Sequence, residues 1–173
     1  MLEKLLIEKN ISSIGFDLDN TLLDTDPYYI RIKNAVFKDF VDIYFGGDNQ
    51  ETIIEKLADT ADFRYKHEHR HGLKPTLIFD ECYNTISDTF PDILDDRLGA
   101  ILEKHTKDFY RKSPDLYPEA IRFLDLLTEM DGVKHVFGAT DAQEEWSRIK
   151  VEYILANTKL DEFPCYSTDL KVR

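Results

Sequence analysis

Between positions 17 and 26 stand four carboxylates, Asp17, Asp19, Asp24 and Asp26, with no lysine or arginine among them. Mutual repulsion makes such a cluster unstable unless it binds a cation or takes up protons. Mg2+ suits it, being a hard ion that accepts carboxylate and carbonyl oxygens and keeps several waters. The cluster therefore predicts Mg2+. Asp17 and Asp19 are two apart at the end of an apolar run, and in an extended chain that spacing puts both side chains on one face. In open parallel sheets, ligands bind beyond the carboxyl ends of the strands, so the location suits a site. Taken alone, the residues leave other readings open. Asp24 and Asp26 also suit turn and cap positions, with Asp26 as helix N-cap and Pro27 in the first turn. A paired aspartate at a strand end also suits a calcium or purely structural site.

The elements that would position these groups follow from periodicity. Residues 2–9 read as a helix, and ISSIGFDLD (11–19) as a short buried strand. Ile32, Val36, Phe40 and Tyr44 then recur every four residues, with Gly46 placed to end that helix. A second helix is expected from about Glu51, with Ile54, Leu57, Ala58, Ala61 and Tyr65 on one face, and a third over parts of 75–88. A fourth begins near Pro91 with the stripe Leu94, Leu98, Ile101, Leu102, His105 and Phe109. Pro118 opens a helix through about Met130, VKHVFGA (133–139) is a strand, 142–156 a helix, and FPCYS (163–167) a third, weak strand. Strands separated by helices imply a parallel sheet. The fold class is thus α/β, a Rossmann-like parallel core over 1–24 and 113–173 with a helical block inserted at 25–112.

Composition narrows the partners. Acids outnumber bases 34 to 22 and the net charge is −12, which argues against a nucleic acid, whose binding relies on Lys and Arg at phosphates. A small phosphorylated molecule is compatible if a cation offsets the repulsion. No apolar run approaches the ~20 residues that cross a bilayer, and the first residues carry Glu3 and Glu8, unlike a signal peptide. Cys82 and Cys165 match no zinc or disulfide spacing, so a soluble protein of the reducing cytoplasm is expected.

The string DLDNTLLD (17–24), Asp-x-Asp-x-Thr-Leu-x-Asp after an apolar strand, is similar to the first signature motif of the haloacid dehalogenase superfamily. The resemblance extends over essentially the whole chain. In that family a helical cap is inserted where residues 25–112 lie, and LYPEAIRFLDLL (116–127) is similar to the helix returning to the core, with Glu119 in place of the usual Gly. The family's second motif, a strand ending in Thr or Ser, matches VFGAT ending at Thr140. A strand tip leading into a helix N-terminus suits an anion, so Thr140 and Asp141 are the expected phosphate-binding residues. Asp141 and Glu144 also fit a capping box, and Asp141 can cap while Thr140 meets a phosphate oxygen.

The resemblance implies a Mg2+-dependent hydrolase of small phosphate monoesters. Asp17 would attack phosphorus to form an aspartyl-phosphate, and Asp19 would protonate the leaving oxygen and then activate water. Mg2+ would be held by Asp17 and the Asp19 backbone carbonyl. Dehalogenase members lack the second Asp, so Asp19 argues for phosphoryl transfer. The family also uses a phosphate-gripping Lys or Arg, for which Lys171 and Arg173 are candidates, although the spacing suggests a position just after residue 173. An acidic motif ending a fourth strand has no counterpart, and Asp169 lies in the wrong place for it. The core is therefore expected to be incomplete, with the first strand an uncovered edge, and the chain weakly stable or dimeric through that edge. The competing reading is a truncated, non-catalytic binding or regulatory module.

Two lesser candidates remain. KHEHRHG (66–72) places His67 and His71 four apart, which suits zinc or a solvated helix end. Tyr28, Tyr29 and Trp146 are most simply packing residues, with Tyr28 and Tyr29 also candidates to touch substrate, and Cys82 reads as an inert core thiol.

Overall fold

The structure, a computed structural model, describes residues 2–47, 49–68, 75–93 and 95–167. The chain divides into two compact units, one of Met1–Asp26 with Lys112–Arg173 and the other of Pro27–Arg111.

The first unit holds a three-stranded parallel sheet, β1 (Ser13–Asp17), β2 (His135–Thr140) and β3 (Cys165–Ser167), in the order β1-β2-β3. Its helices are α1 (Leu2–Glu8), α6 (Pro118–Thr128) and α7 (Glu144–Asn157). The chain leaves this unit and returns to it at one clasp. The Asp24 amide donates to the Asp115 carbonyl at 2.8 Å, and the Tyr117 amide to the Leu22 carbonyl at 3.0 Å, so the two crossings lie side by side. That is why a long insertion can follow β1 without disturbing the sheet.

Pleating sends alternate side chains to opposite faces. Phe16, Val136 and Cys165 pack on a core of Leu18, Leu22, Leu23, Leu116, Ala120, Leu124, Ile154 and Phe163, which α6 and α7 complete. On the other face Phe137 stands over Gly15, its partner in register, so closely that a Cβ there would lie 2.6 Å from the ring. Tyr166 meets the edge of Phe137 and is 64% exposed. Among the described residues β1 pairs on one side only, with β2.

The second unit is helical: α2 (Thr25–Tyr44, whose first two residues belong to the other unit), α3 (Gln50–Glu68), α4 (Pro75–Thr89) and α5 (Asp96–Phe109). Val36, Phe37, Phe40, Leu57, Ala61, Cys82, Ile86, Leu98 and Phe109 form its buried interior. Tyr28 and Tyr29 pack against Phe109, and the Tyr28 hydroxyl donates to the Phe109 carbonyl at 2.7 Å, so both are packing residues. Cys82 is fully buried, and burial pushes its thiol up to about 12. The Asp39 carboxylate of α2 binds Lys104 and His105 of α5, at 2.6 and 2.9 Å. Among the described residues no helix is long and apolar enough to cross a membrane.

Several local expectations are corrected. Asp26 does not cap α2. The helix starts at Thr25, two residues before Pro27, and its Thr25 and Asp26 amides donate to the Asn20 side-chain oxygen at 3.2 and 3.3 Å. Asn20 can reach back because it holds a left-handed backbone, φ 55°, which asparagine tolerates. Helix α2 ends at Tyr44, and the left-handed glycine beyond it is Gly47, φ 124°, not Gly46. Pro91 opens a short 3-10 turn to Ile93, and α5 starts afresh at Asp96 with the Asp95 carboxylate capping the Arg97 amide at 2.9 Å. The zinc reading of the histidine run lies outside the described residues, as do His69 and His71 themselves, and so do Leu94, Asp169, Lys171 and Arg173.

Two outcomes follow. A methyl at Gly138 would sit 2.9 Å from the Phe163 ring and 3.1 Å from both Cys165 Sγ and Leu18 Cδ2. Gly138→Ala is predicted to lower stability by about 1–3 kcal/mol through overpacking, read from urea midpoints. Burial also pushes the Tyr28 phenol up to about 12 from an ordinary 10.0, against the pull of Arg31. The folded chain keeps this proton where the unfolded chain releases it. The stabilisation is thus complete below pH 10 and is lost as pH rises towards 12. Tyr28→Phe should cost about 1 kcal/mol near neutral pH. Its deficit relative to the unmodified protein should then narrow in urea melts above pH 10.

Candidate functional site

Asp17 is the last residue of β1, Thr140 the last of β2 and Ser167 the last of β3. In a parallel sheet these ends share one edge, the edge at which ligands of such sheets bind. The Asp17 side chain is exposed, and its Oδ1 accepts from the Leu18 amide at 2.9 Å. Leu18 is fully buried and anchors the turn from below. Asp19 follows, bridged to Leu23.

The acids of this turn are held by protein donors, one of them, Asp19, by a cation. The Asp19 carboxylate receives the Thr25 hydroxyl at 2.7 Å on Oδ1 and the Lys150 ammonium on both oxygens, at 2.6 and 2.7 Å. Asp24 accepts from the Tyr117 phenol at 3.0 Å, and Asp26 from the Asn20 side-chain amide at 2.9 Å. The positive charge missing between positions 17 and 26 is thus brought by α7, 131 residues along the chain from Asp19. Lys150 is fully buried, with its ammonium 5.1 Å from the centre of the Trp146 ring, within cation–π range. Burial pulls its pKa below the ordinary value, while the Asp19 carboxylate and then Asp17 push it back up. Asp17, Asp19 and Lys150 therefore share one electrostatic neighbourhood.

At the tip of β2, Thr140 is buried and its Oγ1 accepts from the Ala142 amide at 3.2 Å. Asp141 is exposed, and helix α7 begins at Glu144 with Gln143, not Asp141, at the cap position and no cap bond from the Gln143 side chain. Ser167 is buried and donates to the Ala142 carbonyl, which joins the tip of β3 to this turn. Of the residues singled out in the sequence, Asp17 and Asp19 sit together at one strand tip, and Thr140 and Asp141 at the next.

Sequence reasoning missed Lys150, Thr25 and Ser167. A signal for the first was present. Trp146, Lys150 and Ile154 recur every four residues, and all three are buried, so a lysine occupies an apolar stripe. A lysine in such a position needs a carboxylate partner.

The donor set suits Mg2+ only in part. Asp17 offers a solvent-facing carboxylate, a hard oxygen donor suited to an ion that uses one or two carboxylates, waters and substrate phosphates. The Asp19 carboxylate is already held by Lys150 and Thr25, which leaves its backbone carbonyl for a metal. Among the described residues no group of three or more His, Cys, Asp or Glu is gathered around a common point.

No family profile and no curated protein sequence matches the chain. Solved structures do. The chain is similar to a haloacid dehalogenase-like family hydrolase from Xanthomonas campestris, with TM-score 0.57, 15% identity and coverage of 91% of this chain and 63% of that one. It is similar also to a predicted phosphoglycolate phosphatase from Haemophilus somnus 129pt, with TM-score 0.52, 16% identity and coverage of 90% and 63%. The fold is therefore haloacid dehalogenase-like, an α/β core with a Rossmann-type parallel sheet, and the chain spans about 63% of the length of both neighbours.

The ion pair is unequal in its solvation. The side chain of Lys150 is 0% exposed and that of Asp19 31%. Asp19→Asn strands a dry ammonium and is predicted to cost about 3–5 kcal/mol. Lys150→Met leaves a carboxylate that water can reach and should cost less, about 1–2 kcal/mol. Chemical denaturation of both variants checks the order.

Proposed function

We propose that the chain is a Mg2+-dependent hydrolase of small phosphate monoesters, working through an aspartyl-phosphate on Asp17. The observation that carries the reading is an exposed Asp17 at the carboxyl tip of β1, beside an Asp19 carboxylate fixed by two donors, in a haloacid dehalogenase-like fold. An exposed carboxylate on a rigid strand tip suits a nucleophile that meets a ligand from solvent.

In this reading an Asp17 oxygen attacks phosphorus, the phosphorus–oxygen bond of the ester breaks, and water later hydrolyses the aspartyl-phosphate. Asp19 gives a proton to the leaving oxygen and takes one from the water. Its Oδ2, which carries only the Lys150 contact, is the oxygen with room for that exchange, whereas Oδ1 carries both Thr25 and Lys150. The Thr140 hydroxyl and the Asp141 backbone amide donate to the phosphate oxygens near the start of α7. Mg2+, held by the Asp17 carboxylate and the Asp19 backbone carbonyl, supplies the charge neutralisation that phosphoryl transfer needs. The substrate is a small phosphorylated metabolite, met in the cytoplasm by a soluble chain that self-associates through the side of β1 that has no partner strand among the described residues.

Phosphate release from para-nitrophenyl phosphate tests this. Turnover is expected with Mg2+ and not after chelation, and Asp17→Asn is predicted to lower it by about 10⁴-fold. An inert wild-type chain with Mg2+ present would favour a non-catalytic binding module instead.

A further inference from the structure

We propose that Lys150 is a positioning residue of this site, fixing the Asp19 carboxylate beside Asp17 in the one orientation its proton transfers need. The inference rests on the hydrolase reading above and adds a residue to it.

Stability alone does not explain the lysine. Position 150 lies in the buried stripe of α7 between Trp146 and Ile154, where an apolar side chain would fill the space without desolvating a charge. Buried ion pairs are on average no more stabilising than well-packed apolar residues of the same volume. Nor does Lys150 grip a phosphate, because its side chain is fully buried. What its geometry does provide is a lock. The ammonium meets both Asp19 oxygens, at 2.6 and 2.7 Å, which fixes both the position and the plane of that carboxylate. Thr25 then holds Oδ1 from another direction at 2.7 Å. The lysine itself is immobilised by burial and by the Trp146 ring. Without the ammonium, repulsion from Asp17 would turn the Asp19 carboxylate outward towards water.

A carboxylate misplaced by about 1 Å can lose on the order of 10²-fold in rate while leaving substrate binding intact. The test compares wild type, Lys150→Met, Lys150→Gln and Lys150→Arg for Mg2+-dependent turnover of para-nitrophenyl phosphate, with circular dichroism to verify folding and calorimetry to measure inorganic phosphate binding. Lys150→Met is expected to lower kcat by about 10²-fold with KM and phosphate affinity within about threefold of wild type. Lys150→Arg, which keeps a two-pronged cationic donor, recovers most of that loss. Should the methionine variant fail to fold, Lys150→Gln, which keeps a donor and drops the charge, gives the same reading. A kcat within threefold of wild type in a folded neutral variant overturns the inference while Asp17→Asn still tests the hydrolase reading. A KM that rises as much as kcat falls, with phosphate affinity lost in step, marks a merely structural lysine and also overturns it. A wild type without turnover removes both.

Discussion

Four carboxylates crowd one turn, and one buried ammonium makes that arrangement tenable. Lys150 takes both oxygens of Asp19, so the acidic turn at the end of β1 is tied to α7. A separate bond, from the Ser167 hydroxyl to the Ala142 carbonyl, joins the tip of β3 to the turn that leads into α7. The turn's remaining acids are satisfied locally by Tyr117 and Asn20. The electrostatic problem set by the sequence at positions 17–26 is thereby eased by side-chain donors of the same unit, and the exposed Asp17 is left without a cationic or side-chain donor of its own among the described residues.

The core is arranged to hold this turn still. Leu18, Leu22 and Leu23 alternate with or follow the acids and are all buried, so the turn is fastened by its apolar members while its polar ones face the edge. Close backbone approach does the rest. Gly138 lies against Phe163, Cys165 and Leu18, where no side chain fits, and this draws the middle strand against the layer beneath it. The clasp at Asp24–Asp115 and Leu22–Tyr117 lets the chain depart into a helical unit of its own and come back at the same point. That helical unit has a separate interior rich in aromatic rings, with Phe40, Phe90 and Phe45 at one end and Tyr28, Tyr29 and Phe109 at the other.

The proposed chemistry draws on this arrangement in an unequal way. A nucleophile needs exposure and a rigid base, which the end of a strand provides. An acid–base group needs a fixed orientation and a defined set of donors, which the Thr25 and Lys150 contacts provide. The two aspartates are two residues apart in sequence, yet one faces solvent while the other is clamped. Unlike environments for like side chains are what allow two carboxylates to take different tasks.

The sequence by itself determined the alternation of strands and helices, the parallel sheet and the position of the acidic pair, because each depends on short-range periodicity and on residues close together in the chain. The four-residue stripes of α2 and α5 and the apolar run before Asp17 are such local signals. Caps were legible less well. Asp26 and Asp141 both have the right residue type for a cap, but α2 starts at Thr25 and α7 takes Gln143 as its cap residue, and where a helix starts depends on turn geometry that composition does not specify. Only the tertiary structure decided the partner of Asp19. A lysine 131 residues away in the chain becomes its neighbour through the packing of α7 on the sheet, and no spacing rule within one strand or helix carries that information.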